Sequence, residues 1–439
     1  MTLQRSLNDW EAQNTSPSFS SDRDELPHLL ICVVSKMGQI NAALDIDARL
    51  WKTSQVARVL IINQDILSEL SDDVRNVFDQ VISTPTRKER LLFPEFCPKQ
   101  LREIIILQQE LYQAEETLVY CGGEGNITHV AEAIDGLSVQ GFTADKAILF
   151  RDKTQMKAFV KSHGIAVPEF ISDIKGMTFK ELTEALGTPF VIKPTDEGGA
   201  FGFHLISDEK DFFQALDGID DIQSYQAETF LDGELFHVDS VQCLGENPIS
   251  LVSEYLFPMA RCLDGMPAGS IALDQQSLTA RKILSIHHKV LKAFNVPGIF
   301  HAEYFVTSKG RVVFLEIAWR PAGLPCNVNF EQYAGTNQST AYLSLATDML
   351  SHSDISFQKP LSMRIFITRQ PGAYQGLSLP LPDEAYTISE EIPKGTFCEK
   401  GETYMSYVAI IDVYAKTPAQ LRKYFMALRE SGQSLAVFV

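Results

Sequence analysis

Apolar residues in the first third of the chain come in short unbroken runs rather than in alternation. The runs 29-LLICVV-34, 57-ARVLIIN-63, 81-VIST-84 and 118-LVYC-121 read as strands, the first of them buried. Helix-like stretches at 41–51 and 101-LREIIILQQELYQAEET-117 separate them, so strands alternate with helices and a small α/β domain ending near residue 135 is expected. Residues 1–26 are polar, rich in turn formers and without a period, which predicts a loose arm.

Beyond residue 150 the pattern changes. Asp152 followed by Gln155 fits a capping box, and the helix it opens, 153–163, stops at Gly164 with Pro168 just beyond. Next come the strand 188-TPFVIKP-194, the polar glycine segment 195-TDEGGAFG-202 and the short strand 203-FHLI-206. Strand, glycine turn and strand make a hairpin, so any phosphate this segment meets is met by a flexible flap. The runs 225-YQAETF-230 and 234-ELFHVDSVQC-243 read as strands around the Asp232-Gly233 turn, and 249-ISLVSEYLF-257 as another. Helices are predicted over 278–294 and 417–431, with strands at 361-LSMRIFIT-368 and 407-YVAIIDVYA-415 and a terminal apolar run, 435-LAVFV-439.

The segment 299-IFHAEYFVTSKGRVVFLEIAWR-320 holds two strands around Lys309-Gly310, where the glycine supplies a positive φ. With those two residues as the loop, Ser308 faces Arg311 and Glu303 falls opposite Glu316. Like charges at such a spacing, about 4.5–5.5 Å between Cβ atoms, destabilise a sheet. A hard cation between them removes the cost, and magnesium takes carboxylate and water oxygens at about 2.0–2.1 Å, commonly sharing its shell with substrate phosphates. His301 and Arg320 alternate onto the same face. His301 either orients a carboxylate or contacts substrate, and Trp319 either walls a pocket or fills the core. His237 is a candidate ribose neighbour, and of His287 and His288 one faces inward in a packing role.

Composition narrows the function classes. With 56 acidic against 38 basic residues, the formal charge of −18 opposes a polyanionic partner such as nucleic acid. No run approaches the roughly 18 uncharged apolar residues of a membrane span, and the N-terminus has no signal-like apolar core, so the cytoplasm is the expected address. The seven cysteines are scattered without a CxxC pair, which argues against a zinc site or disulfide frame, and Cys326 has no partner to activate it as a nucleophile. The turn 121-CGGEGN-126 lacks the Gly-Lys-Ser/Thr ending of a Walker loop; it is either a plain strand-to-helix connection or part of a cleft wall.

Four segments together resemble the ATP-grasp ligases, especially their carboxylate-amine and L-amino-acid ligase branch: 151-RDKTQMKAFVKSHGIAVPEF-170, 189-PFVIKPTDEGGAFGFHLI-206, 228-ETFLDGELFHVD-239, and 301-HAEYF with 315-LEIAWRPAG-323. The resemblance implies an α/β and α+β architecture. Its parts are the arm at 1–26, a preATP-grasp α/β domain over 27–140, a small subdomain bearing the phosphate flap over 141–230, a metal- and substrate-binding portion over 231–350, and a C-terminal α+β portion over 351–439. It also implies that Lys153 and Lys193 contact ATP phosphates under a flap containing Gly198, Gly199, Ala200 and Gly202. Glu228, Thr229, Phe230 and Leu231 would line the adenine, Glu234 would reach the ribose, and Glu303 and Glu316 would ligate magnesium, with manganese as a substitute. Lys193, Arg320 and His301 are the catalytic candidates, Arg320 facing an acyl phosphate or substrate carboxylate.

The implied reaction joins a small carboxylate, expected to be an amino acid, to the amine of another amino acid or another small amine, with ADP formed through an acyl phosphate. A carboxylase-like enzyme using carboxyphosphate and a non-catalytic Mg-ATP-binding scaffold are the alternatives, and a homodimer is left open. One departure stands out. Many members carry Glu-Ile-Asn at the second metal segment; this chain has Glu316-Ile317-Ala318, and a methyl group cannot ligate magnesium.

Overall fold

The four N-terminal apolar runs pair in parallel, in the order Gln80–Thr84, Val56–Asn63, His28–Val34 and Glu116–Cys121. They are seen in a computed structural model that describes residues 28–36, 56–87, 94–401 and 403–439; the expected arm and the 41–51 helix lie outside those residues. Leu29 to Val34 are buried on both faces because helices Pro98–Tyr112 and Ile127–Ile134 cover one side, while helices Asn327–Ala334 and Gln338–Ala346 contribute to the apolar cluster on the other. All seven cysteines are free thiols, five buried and two half-buried.

A second, antiparallel sheet runs Phe170–Ile171, Tyr225–Thr229, Phe190–Pro194, His204–Ile206. Period-two alternation gives it two unlike faces. Phe190, Ile192, Ile206 and Ala227 pack under helices Phe179–Leu186 and Glu209–Asp217. Val191, Lys193, Gln226 and Glu228 share the opposite face, since Lys193 pairs with Gln226 and Val191 with Glu228. The runs on either side of Asp232-Gly233 do not form a hairpin. Tyr225–Thr229 stays in this sheet and Gly233–Gln242 enters the next one, which makes residues 230–232 a crossover between sheets.

The third sheet has eight strands, in the order Val312–Ala318, Gly298–Thr307, Gly233–Gln242, Ile249–Tyr255, Ala268–Ala272, Ser362–Thr368, Tyr407–Tyr414, Tyr386–Glu391. Helix Leu278–Phe294 covers one face through Ile283, Val290 and Phe294, and on that side His287 is wholly buried between Ser240 and Tyr304. Burial brings His287 down to about 3, which makes it a neutral packing residue as its place on the helix suggests. Helix Pro418–Ser431, capped by Thr417, packs Leu421, Phe425 and Leu428 against the C-terminal strands. No helix among the described residues is long and apolar enough to cross a membrane.

The hairpin register corrects the sequence count in an instructive way. Thr307, not Ser308, faces Arg311, because the Thr307 carbonyl accepts from Gly310 N and the loop holds three residues, Gly310 at φ 73°. That shift carries through Val306↔Val312 and Tyr304↔Phe314, until a bulge at Glu303/Tyr304 takes up the extra residue Leu315 and restores Glu303↔Glu316. Two one-residue deviations cancel, and the carboxylates meet.

Trp319 fills the core. It is 3% exposed and packs against Phe142, Phe150 and Phe300. Gly298, at φ 145°, is where the first strand of the hairpin passes its indole, and a Cβ there would lie far inside van der Waals contact distance of Nε1. Gly298→Ala is therefore expected to cost about 2–4 kcal/mol from combined backbone strain and overpacking. A urea-unfolding midpoint unchanged from wild type would contradict this packing.

Candidate active site

The polar face of the small sheet, the first turn of helix Lys153–Ser162 and the carboxylate hairpin converge on one cleft. Asp152 caps that helix by accepting from Thr154 N at 2.8 Å and Gln155 N at 3.0 Å, which fixes Lys153 in the first turn. Lys153 Nζ donates to the Glu197 carbonyl at 2.5 Å and lies 3.6 Å from Glu316 Oε2. One lysine thus touches both the glycine segment and the hairpin.

Lys193 sits 2.6 Å from Glu228 Oε1, and Lys157 donates to Glu228 Oε2 at 2.5 Å and to Gln226 Oε1 at 2.7 Å. Burial works to raise the Glu228 carboxyl, but Lys157 and Lys193 outweigh it and hold the group down at about 2. Burial wins at Lys157, which falls to about 8 despite Glu228. The partners differ because two ammonium groups divide one carboxylate and repel each other. Lys193 also loses solvation, yet Glu228, Glu316 and Glu303 together hold it above its ordinary value.

On the hairpin, Glu303 accepts from the Tyr255 hydroxyl at 2.7 Å, with His301 Nε2 3.8 Å away. His301 Nδ1 is 2.7 Å from Asp239 Oδ1, and His237 Nδ1 is 3.0 Å from Asp239 Oδ2. Burial opposes charge on both imidazoles, but Asp239 raises both, His237 to about 10. His237, Asp239 and His301 are close enough to be a metal-ligand set. Asp239 Oδ1 is hydrogen-bonded to His301 and Oδ2 is ion-paired with His237, so the trio serves as a support behind Glu303. His237 faces Ser270 in this support rather than a ribose.

Residues 196–202 fold over the cleft as a turn in which Gly199, Ala200 and Gly202 all have positive φ, of 65°, 62° and 65°. Gly202 has no freedom to change, since a Cβ would lie 2.7 Å from the Tyr225 hydroxyl and 2.8 Å from Pro194 Cγ. Arg320 Nε donates to Glu124 Oε2 at 2.8 Å, and Glu124 Oε1 accepts from Arg151 Nη1 at 2.9 Å. The 121–126 turn therefore does wall the cleft.

The structure thus gathers Lys153, Lys193, Glu228, Glu303, Glu316, Arg320 and the turn holding Gly198 into one place. His301 stands behind Glu303, in the sheet interior. Thr229 ends the small sheet, and Phe230 and Leu231 form the crossover at the cleft edge. Glu234 is not brought in: it alternates to the face opposite Glu303, where its carboxylate meets Arg429 at 3.0 Å. Lys157, Glu124, Arg151 and Tyr255 escaped the sequence reading. Lys157 alone left a signal there, as a charge on the apolar stripe it shares with Met156 and Val160.

The donor set fits a magnesium nucleotide. Glu303 and Glu316 offer hard oxygens from paired positions, and Lys153 and Lys193 lie on the adjoining side where phosphates bridging to such a metal would sit. Ala318, on the same face and paired with His301, adds no ligand.

No family model matches the chain. Over 198 residues it is 29% identical to an L-arginine-specific L-amino acid ligase of Bacillus subtilis, covering 43% of this chain and 47% of that protein. Over 180 residues it is 26% identical to a D-alanine–D-alanine ligase of Nitrosomonas europaea, covering 37% and 57%. The chain spans about half the length of these curated relatives. Its fold is that of an L-amino acid ligase from Bacillus licheniformis, with a TM-score of 0.65 at 14% identity over 95% of this chain and all of that one. The fold is the ATP-grasp fold expected from the sequence, and the curated relatives it resembles over part of its length are amino-acid and D-alanine–D-alanine ligases.

Proposed function

We propose that the protein is an ATP-dependent, ADP-forming ligase that joins the carboxylate of one amino acid to the amine of another amino acid or small molecule. The observation that carries this reading is the meeting of Lys153 and Lys193 with the Glu303–Glu316 pair beneath a glycine turn. Amide formation from a carboxylate needs an activated oxygen, and phosphorylation to an acyl phosphate supplies one. Magnesium, held by Glu303 and Glu316, would offset the charge of the phosphates.

The chain's own residues do the rest. Lys193 and Lys153 would bind and orient phosphate oxygens, which requires exchanging the Glu228 and Glu197 contacts they make here. With Glu303 and Glu316 engaged by magnesium, Lys157 and Lys193 would have only Glu228 to share, which would leave positive charge for an anion. Phe230 and Leu231 present backbone at the crossover where an adenine edge would lie. Arg320 would stabilise oxygen charge on the carboxylate being activated. The turn at 196–202 would exclude water that hydrolyses ATP or the acyl phosphate. Positioning and electrostatics suffice for such phosphoryl transfer, so a serine or cysteine nucleophile is not required.

Incubation with ATP, magnesium and a panel of amino acids is expected to release ADP and phosphate only when a substrate pair is present. AMP and pyrophosphate, or nucleotide binding without turnover on the whole panel, would sink the reading. Glu316→Gln is expected to lower kcat/KM at least about 100-fold, beyond the usual loss for a group acting through a ligand, while leaving the thermal midpoint within about 3 °C.

The same charges predict an acid limb. Glu228 and Glu124 are held at about 2 in the fold, well below the ordinary 4.5. The stability they contribute is present above about pH 4.5 and is lost as the pH falls toward about 2, since the unfolded chain takes up protons first. Unfolding free energies measured over that window should fall less steeply for Glu228→Gln than for wild type; parallel slopes would show that the fold does not hold the Glu228 carboxyl below its ordinary range.

A further inference from the structure

Glu124 is 8% exposed and carries two guanidinium groups, one on each oxygen. Burial disfavours its charge, but Arg320 and then Arg151 reverse the effect. The three residues come from distant parts of the chain: the turn after strand Glu116–Cys121, the residue before the cap of helix Lys153–Ser162, and the loop after strand Val312–Ala318.

Each arginine has a second task. Arg320 Nη1 donates to the Pro321 carbonyl at 3.0 Å, so with Nε on Glu124 the plane of the guanidinium is set. Arg151 Nη2 donates to the carbonyl of Asp196 at 2.5 Å, at the start of the glycine turn. On the outer side, Tyr404 spans the same two segments. A Cβ on Gly199 would lie 3.2 Å from its ring, and one on Gly323 3.3 Å from its hydroxyl. Two guanidinium groups on one carboxylate leave a surplus positive charge, suited to an incoming carboxylate.

We infer that Glu124 is a positioning residue for Arg320 and, through Arg151, ties the orientation of that arginine to closure of the glycine turn. A free arginine would have to lose about 2 kcal/mol of rotamer entropy on meeting substrate. Glu124 imposes that order beforehand, and the closed turn keeps Arg151, and hence Glu124, in place. The kinetic consequence rests on the ligase reading; the consequence for the turn does not.

The test uses the full chain with Glu124→Gln, Arg320→Lys, their double variant and Arg151→Lys. Glu124→Gln and Arg320→Lys should each lower kcat/KM for the carboxylate substrate about tenfold or more, as expected when a charge-assisted hydrogen bond is lost. The Kd for Mg-ADP by calorimetry should stay within about twofold of wild type, and the double variant should lose little more than the worse single. Amide hydrogen exchange in the 195–203 peptide should quicken about tenfold in Glu124→Gln and Arg151→Lys but not in Arg320→Lys. Additive kinetic losses, or unchanged exchange in both of the first two, overturn the inference. A wild type without carboxylate-dependent turnover sinks the ligase reading instead, and the exchange result then decides the inference alone. Should Glu124→Gln melt below the assay temperature, Arg151→Lys, which leaves the Glu124–Arg320 contact intact, decides it by the same exchange measurement.

Discussion

Two carboxylates at one cross-strand position need positive charge beside them, and much of the cleft is arranged around that need. Glu316 has Lys153 at 3.6 Å, and Glu303 has the Tyr255 hydroxyl at 2.7 Å with His301 behind it. Lys193 feels both glutamates while it is in contact with Glu228. These compensating groups come from a helix, from the small sheet and from two strands of the large sheet. The cleft is therefore a joint product of separate elements, and none of them is electrostatically balanced alone.

The small sheet shows how one element serves both packing and chemistry. Its apolar face makes a core with two helices, and that core fixes the alternation which turns Lys193, Gln226 and Glu228 toward the cleft. A one-residue slip of strand Phe190–Pro194 would turn Phe190 and Ile192 toward the cleft and bury Lys193 among Leu182, Leu186 and Phe212. Similar economy holds on the large sheet, where Asp239 binds His301 and His237, and His237 leads on through Ser270 to Asn329. These contacts hold the rear of Glu303 against helix Asn327–Ala334, so the carboxylate pair has rigid support.

Parts of the site were legible because they depend on local pattern. Asp152 caps its helix as its spacing from Gln155 suggests, and the glycine turn lies between paired strands. Glu303 and Glu316 do pair, though the count reached them through a two-residue loop when the chain uses three residues and a bulge. Glu234 sat within a familiar motif, yet period-two alternation and Arg429 place it on the other face. Trp319 was open between pocket and core, and three phenylalanines from outside its strand decided for the core.

By itself the sequence determined most of the strands, the longest helices, which glycines free the turn, and which carboxylates share a hairpin. Those features follow from interactions within a few residues or one strand pair, where periodicity and turn chemistry suffice. Only the tertiary structure decided that Lys157 shares Glu228 with Lys193, that Glu124 holds Arg151 and Arg320, and that His237 and His301 meet on Asp239. Two of these clusters join residues more than 60 positions apart, and in the Glu124–Arg320 pair the separation is 196. Their partners are chosen by which charges are buried together, a property of the packed sheets and helices that no local pattern records.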